Sequence, residues 1–263
     1  MSSQEMPQHI LHFTDKGKGE PLLILHGLFG AGDNWNQIAK ALPDDFRTIQ
    51  VDLRNHGRSF HSQDISYAIM AEDIKAVLTH LEIPSAHILG HSMGGKVAME
   101  FSQLYPQLCK SLTIVDIAPR QYQPNHNDVF KGLNAVDLSS ITNRNDAEQV
   151  LTQYLSDKIV AQFLLKSLYR EDGKFKWRFN LADLEAHYQN LIAPPSFIKP
   201  FTGPVMFIKG MNSNYIEASD RDKILKMFPM AQSRVISDTG HWPHAEKPRI
   251  LLKIVEHFLN KQV

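Results

Sequence analysis

Residues 87–101, HILGHSMGGKVAMEF, pass from an apolar run through a glycine, a serine and two further glycines into a stretch with helical apolar spacing. A chain makes that passage as a strand that turns sharply into a helix, with Ser92 at the tip. Gly90 and Gly94 flank the serine in a G-x-S-x-G pattern and remove the side chains that would collide with the neighbouring strand or helix. Gly95 adds room for close packing. The turn strains its central residue and lifts the serine oxygen above the sheet edge. A glycine-rich turn with an incidental serine is the competing reading, and partners for the serine decide between them.

Short apolar runs ending in turn residues and followed by amphipathic stretches predict βα units on a mostly parallel sheet. Pro21 to Gly27 (PLLILHG) reads as a buried strand, Asp33 or Asn34 as the cap of a helix through about Leu42, and Phe46 to Asp52 as the next strand. Tyr67 to Leu81 has helical spacing, and AHILG, SLTIVDIA, PVMFIKG and SRVISD read as further strands before a last helix carrying Leu251, Val255 and Phe258. Between Pro119 and Pro200 the strand rhythm stops, and DAEQVLTQYLSD and IVAQFLLKSLYR read as helices. The prolines of IAPPSFIKPFTGP mark the return to the sheet. The expected organisation is an α/β core from residues 1–118 and 201–263, with a helical cap inserted at 119–200.

At 263 residues and 43% hydrophobic content the chain can bury one large core. Its 28 basic and 28 acidic residues cancel, so no global field draws nucleic acid or an anionic membrane. No run approaches the roughly 18 apolar residues of a membrane span, and MSSQEMPQHILHF has no signal-peptide pattern. A lone cysteine, Cys109, cannot form an internal disulfide, which fits a reducing compartment and makes the cytoplasm the expected location.

A serine hydroxyl needs a base, and the base an orienting carboxylate. His241, in the turn after the last strand, can reach Ser92. His244 lies nearby on an expected helix, while His26, His56 and His91 suit packing and hydrogen bonding near the site. For the acid, VMFIKGMNSNY offers no carboxylate, whereas the strand before it ends in Asp116. Glu217 and Asp220 are the fallbacks, and Ser213 either adds a hydrogen bond to His241 or Asp116 or is an ordinary loop serine. An oxyanion requires two fixed donors: the Met93 backbone N–H, and a second from HGLFG, with Leu28 preferred and Phe29 the alternative.

HGLFG, VDLRNHGRS, GHSMGGK, VDIAP and GHWPHAEKP, in that order, resemble the α/β-hydrolase superfamily, and DLRNHG, DIAP, QFLLKS and WRFN resemble its bacterial YbfF-type esterases. The resemblance implies an eight-stranded, mostly parallel sheet flanked by helices, with a helical cap. It also implies a serine esterase or thioesterase without metal or cofactor, acting through Ser92, Asp116 and His241 on small acyl esters or thioesters, acyl-CoA among them. Candidate pocket residues are Phe29, Met93, Tyr215, Trp242, Phe163 and Trp177. Lys166, Arg170 and Arg178 form either a solvated face or a contact for CoA phosphate. Carbon–carbon bond hydrolysis, and ligand sensing by a protein that retains a hydrolase site, remain the alternatives; oligomeric state is left open.

Overall fold

Leu22 to Leu25 are completely buried, as a parallel strand covered on both faces requires. They belong to β2 (Glu20–Leu25) in a computed structural model that describes residues 9–262. Residues 1–8, the start of the expected first core segment and most of the stretch read for a signal peptide, lie outside the described residues. The remaining core elements are β1 (Phe13–Lys16), α1 (Asn36–Ala41), β3 (Phe46–Val51), α2 (Tyr67–His80), β4 (Ala86–His91), α3 (Met93–Leu104) and β5 (Cys109–Val115). After β5 come α4 (Asn127–Ala135), α5 (Arg144–Tyr154), α6 (Lys158–Leu165), β6 (Leu168–Glu171), β7 (Lys174–Trp177), α7 (Leu181–Ala186) and α8 (Tyr188–Ile192). The chain then returns with β8 (Val205–Gly210), α9 (Arg221–Met227), β9 (Ala231–Ile236), α10 (Pro243–Glu246) and α11 (Pro248–Leu259).

Among the described residues the main sheet has seven strands in the order β1-β3-β2-β4-β5-β8-β9, all parallel except β1. The expected eighth strand is absent from that set. Residues 9–12 form no strand: the His12 N–H, which a strand would pair with backbone, goes to Ser59 Oγ (2.8 Å), although its carbonyl still accepts from Asp52 N–H (2.9 Å). Alternating side chains divide the core. Leu23, Leu25, Ile49 and Ile88 pack with α2 and α3, whereas Leu22, Ile24, Leu89 and Ile208 meet Trp35, Ile38, Leu251 and Phe258 on the opposite face.

Two local expectations are corrected. Neither Asp33 nor Asn34 caps α1: a 3-10 turn at Gly32–Trp35 precedes it, and Asn34 Oδ1 accepts from Ala31 N–H at 2.8 Å. The segment 119–200 is not all helix, since IVAQFLLKSLYR leaves the helix after Leu165 and enters β6. Asp172 and Gly173, at φ 50° and 78°, make the two-residue turn that folds β6 antiparallel onto β7, a geometry that Asp-Gly favours.

The return to the sheet is held by one polar stripe of α3. Lys96 Nζ donates to the carbonyls of Ile192 (2.9 Å) and Ala193 (2.5 Å), Glu100 Oε2 accepts from Ser196 N–H (2.6 Å), and Gln103 Oε1 accepts from Ile198 N–H (3.0 Å). At helical spacing these side chains share a face, so the helix that follows Ser92 also fixes residues 192–199.

Packing leaves no room at Gly94, where an added Cβ would lie 2.5 Å from the carbonyl oxygens of Leu25 and His26. Those oxygens belong to backbone and cannot swing aside. Gly94→Ala is expected to lower unfolding free energy by about 3 kcal/mol, the upper end of ordinary overpacking, read from the midpoint of urea denaturation.

Candidate active site

Ser92 links β4 to α3 at φ 51° and ψ −118°, a conformation that costs a non-glycine residue roughly 1–3 kcal/mol. Its N–H donates to Val115 O (3.0 Å), and its carbonyl accepts from Lys96 N–H in the first turn of α3 (3.1 Å). Room for the turn exists only because an added Cβ on Gly90 would sit 2.3 Å from Gly94 O.

From that tip a row of hydrogen bonds runs into the core. Ser92 Oγ lies 3.0 Å from His241 Nε2, and His241 Nδ1 lies 2.8 Å from Asp116 Oδ2. Asp116 is fully buried at φ 53°. Its Oδ1 accepts from Gly210 N–H (3.0 Å), and the Ser213 hydroxyl donates to Oδ2. Because a carboxylate only accepts, Asp116 places the imidazole proton on Nδ1 and leaves the Nε2 lone pair facing the serine hydroxyl. That arrangement can take up a proton as the oxygen attacks an electrophile.

The base itself is held from two further directions. The Tyr215 ring stacks on His241 with centroids 3.7 Å apart, and His91 Nε2 donates to the His241 carbonyl at 2.7 Å. His244 is buried and stacks on Trp35 at 4.4 Å. Glu217 and Asp220 lie away from the row and pair with Arg120, at 3.8 Å and 3.1 Å.

Among the described residues, the backbone N–H groups of Leu28 and Met93 have no hydrogen-bond partner. Phe29 does: its N–H donates to His56 Nε2 at 3.1 Å, and His56 Nδ1 donates onward to the Arg54 carbonyl. Leu28 thus presents a free donor from HGLFG, opposite the positive N-terminal end of α3.

Two cavities of about 40 Å³ each meet at Ser92 and share Leu28 and His126. Phe29, Phe163, Trp242 and His241 line one, with Val160 and Leu164 from α6. Tyr215, Met93, Tyr67, Lys96, Tyr122 and Tyr188 line the other. Trp177 lines neither; it stacks on Phe179, which stands between it and Phe29. The guanidinium of Arg170 lies over Phe175 and that of Arg178 over Tyr169. Sequence reasoning missed Lys96, Tyr122, His126 and Tyr188. Lys96 alone carried a signal, as a charge in a helix that is otherwise apolar or glycine through Met99; burial lowers its ammonium to about 7. Among the described residues no cluster of His, Cys, Asp or Glu could hold a metal ion, and no helix is long and apolar enough to cross a membrane.

A profile of the family described as alpha/beta hydrolase fold matches residues 20–248. A putative esterase/lipase of Haemophilus influenzae is 43% identical over 91% of this chain and 83% of its own length. Esterase YbfF of Escherichia coli is 39% identical over 91% of this chain and 93% of its own. The solved structure of a marine microorganism esterase superimposes with a TM-score of 0.92 at 38% identity, covering 95% of this chain and 99% of that one.

Several buried imidazoles couple the fold to pH. Burial lowers His56 to about 3, with His26 beside it adding to the shift, His87 to about 4 with help from Lys110, and His244 to about 3 with help from His241. The unfolded chain binds these protons near pH 6.5 and the native chain does not. Stability is therefore complete above that pH and falls as pH drops towards 4, by about 1.4 kcal/mol per unit for each group. The melting temperature is expected to be about 10 °C lower at pH 5.5 than at pH 7.5; a flat profile by scanning fluorimetry would contradict this account.

Proposed function

The chain belongs to the α/β-hydrolase family, and from that membership we propose that it is a serine carboxylic-ester hydrolase working through an acyl-enzyme. The hydrogen-bonded row from Ser92 through His241 to Asp116 carries this reading. His241 removes the Ser92 proton as the oxygen attacks the acyl carbonyl, then delivers it to the departing alcohol or thiol. Asp116 holds the productive tautomer and stabilises the imidazolium, while the N–H groups of Leu28 and Met93 receive the oxyanion. Water, activated by the same imidazole, releases the acid.

Relatives with 43% and 39% identity bear the names esterase/lipase and esterase, which supports ester hydrolysis. Thioesters, acyl-CoA included, fit the same chemistry. Residues 119–200 act as a cap over a core formed by the described residues of 1–118 and 201–263, and supply Phe163 as a wall of the pocket. Phe29, Tyr215 and Trp242 are the other substrate contacts, and Ser213 steadies the Asp116 carboxylate. The balanced charge and the single cysteine support a cytoplasmic location.

Hydrolysis of p-nitrophenyl acyl esters of increasing chain length tests the reading. Ser92→Ala is expected to lower kcat roughly a thousandfold or more, and Asp116→Asn by a comparable factor with folding preserved. Ser213→Ala, which removes one hydrogen bond to a charged group, should cost about tenfold. Esters left intact alongside cleavage of a diketone would transfer the site to carbon–carbon hydrolysis.

A further inference from the structure

Phe29 is the one residue of HGLFG in the left-handed region, at φ 63°, and it is buried. A phenylalanine keeps that conformation only when its surroundings impose it. Both of its backbone polar groups are taken. His56 Nε2 accepts its N–H at 3.1 Å from the core side, and the Ser167 hydroxyl donates to its carbonyl at 2.8 Å from the segment between α6 and β6. Its ring stands among Phe179 (5.0 Å), Phe130 (5.6 Å) and His126 (6.3 Å), all of them within 119–200.

The two backbone clamps are themselves joined. His56 forms an isolated backbone bridge with Phe179, and Asn180 N–H donates to Asn55 O at 2.9 Å. Residues 167–180 therefore touch both the loop that carries His56 and the loop that carries Phe29. The peptide plane bearing the free Leu28 N–H is that of the Gly27 carbonyl, which accepts from Gly30 N–H at 3.0 Å, so the clamped Phe29, at φ 63°, sits inside the turn that sets its direction.

We propose that Ser167 and His56 are positioning residues that aim the Leu28 oxyanion donor, making that donor depend on the seating of residues 167–180 against the core. The inference rests on Leu28 serving the oxyanion, as argued above. His56 works as a neutral acceptor and Ser167 as a donor, so each has a conservative replacement: Gln offers an oxygen near the place of Nε2, and Thr keeps the hydroxyl.

The test compares turnover of p-nitrophenyl butyrate with inhibition by n-butylboronic acid. Boron accepts a lone pair from Ser92 Oγ, whose proton passes to His241, and the resulting tetrahedral anion needs the oxyanion donors. Ser167→Ala is expected to lower kcat about tenfold with KM within about twofold, and to weaken boronate inhibition by the same factor. This is less than the loss of a whole donor, because the donor is misaimed rather than removed. Ser167→Thr and His56→Gln should recover most of both, and His56→Leu should match Ser167→Ala. A merely structural Ser167 would lower the melting temperature and leave boronate inhibition unmoved. Unchanged kcat and inhibition in Ser167→Ala overturn the proposal even if His56→Leu fails to fold. If Ser92→Ala keeps turnover, or the boronate does not inhibit the wild-type protein, the reading of the site falls and this inference with it.

Discussion

The close approach of α3 to the ends of β2 and β4 is the contact on which the site depends. Gly94 lets the first turn of α3 rest against the carbonyls of Leu25 and His26, so the free N–H groups of Leu28 and Met93 come to the same point in space. A side chain there would push the helix away from the strand and separate those donors before any chemistry began. The neighbouring strand completes the arrangement: Val115 O accepts the Ser92 N–H, and the next residue, Asp116, swings through a left-handed backbone conformation towards His241. One strand end thus fixes the height of the serine and the direction of the carboxylate.

Much of this geometry was legible in the residues. The elbow announces itself because only glycines tolerate its contacts, and the parallel strands are legible because burial on both faces makes them continuously apolar. Asp116 could be selected because the loop after PVMFIKG offers hydroxyl and amide groups but no acid; the structure fills that position with Ser213 and Gly210, both donating to Asp116. The antiparallel strand β1 escaped notice because FTDK is short and half exposed. The β6–β7 hairpin escaped because LLKSLYR continues an apolar helical spacing, although Asp172-Gly173 carried the turn signal.

The walls of the cavities were less accessible to sequence, for a physical reason. Tyr67, Tyr122 and Tyr188 lie far apart in the chain and converge only through tertiary packing, their hydroxyls bonding to Leu191 O, Tyr215 O and Asn125 Oδ1. No periodicity records such convergence. Trp177 shows the converse, an aromatic in the right segment whose strand alternation turns it, with Phe175, into the hairpin's own packing.

The stripe of Lys96, Glu100 and Gln103 on α3 has a consequence for how such a chain can vary. Because it grips only backbone atoms between Ile192 and Lys199, it makes few demands on the side chains of that segment. It therefore acts as a socket that reads backbone alone: the side chains of 192–199 can change while the docking points stay, whereas the segment before them is seated by its own contacts, Ser167 and Asn180 among them. The prolines punctuate that stretch in the sequence, but the α3 stripe is what fixes where it lies.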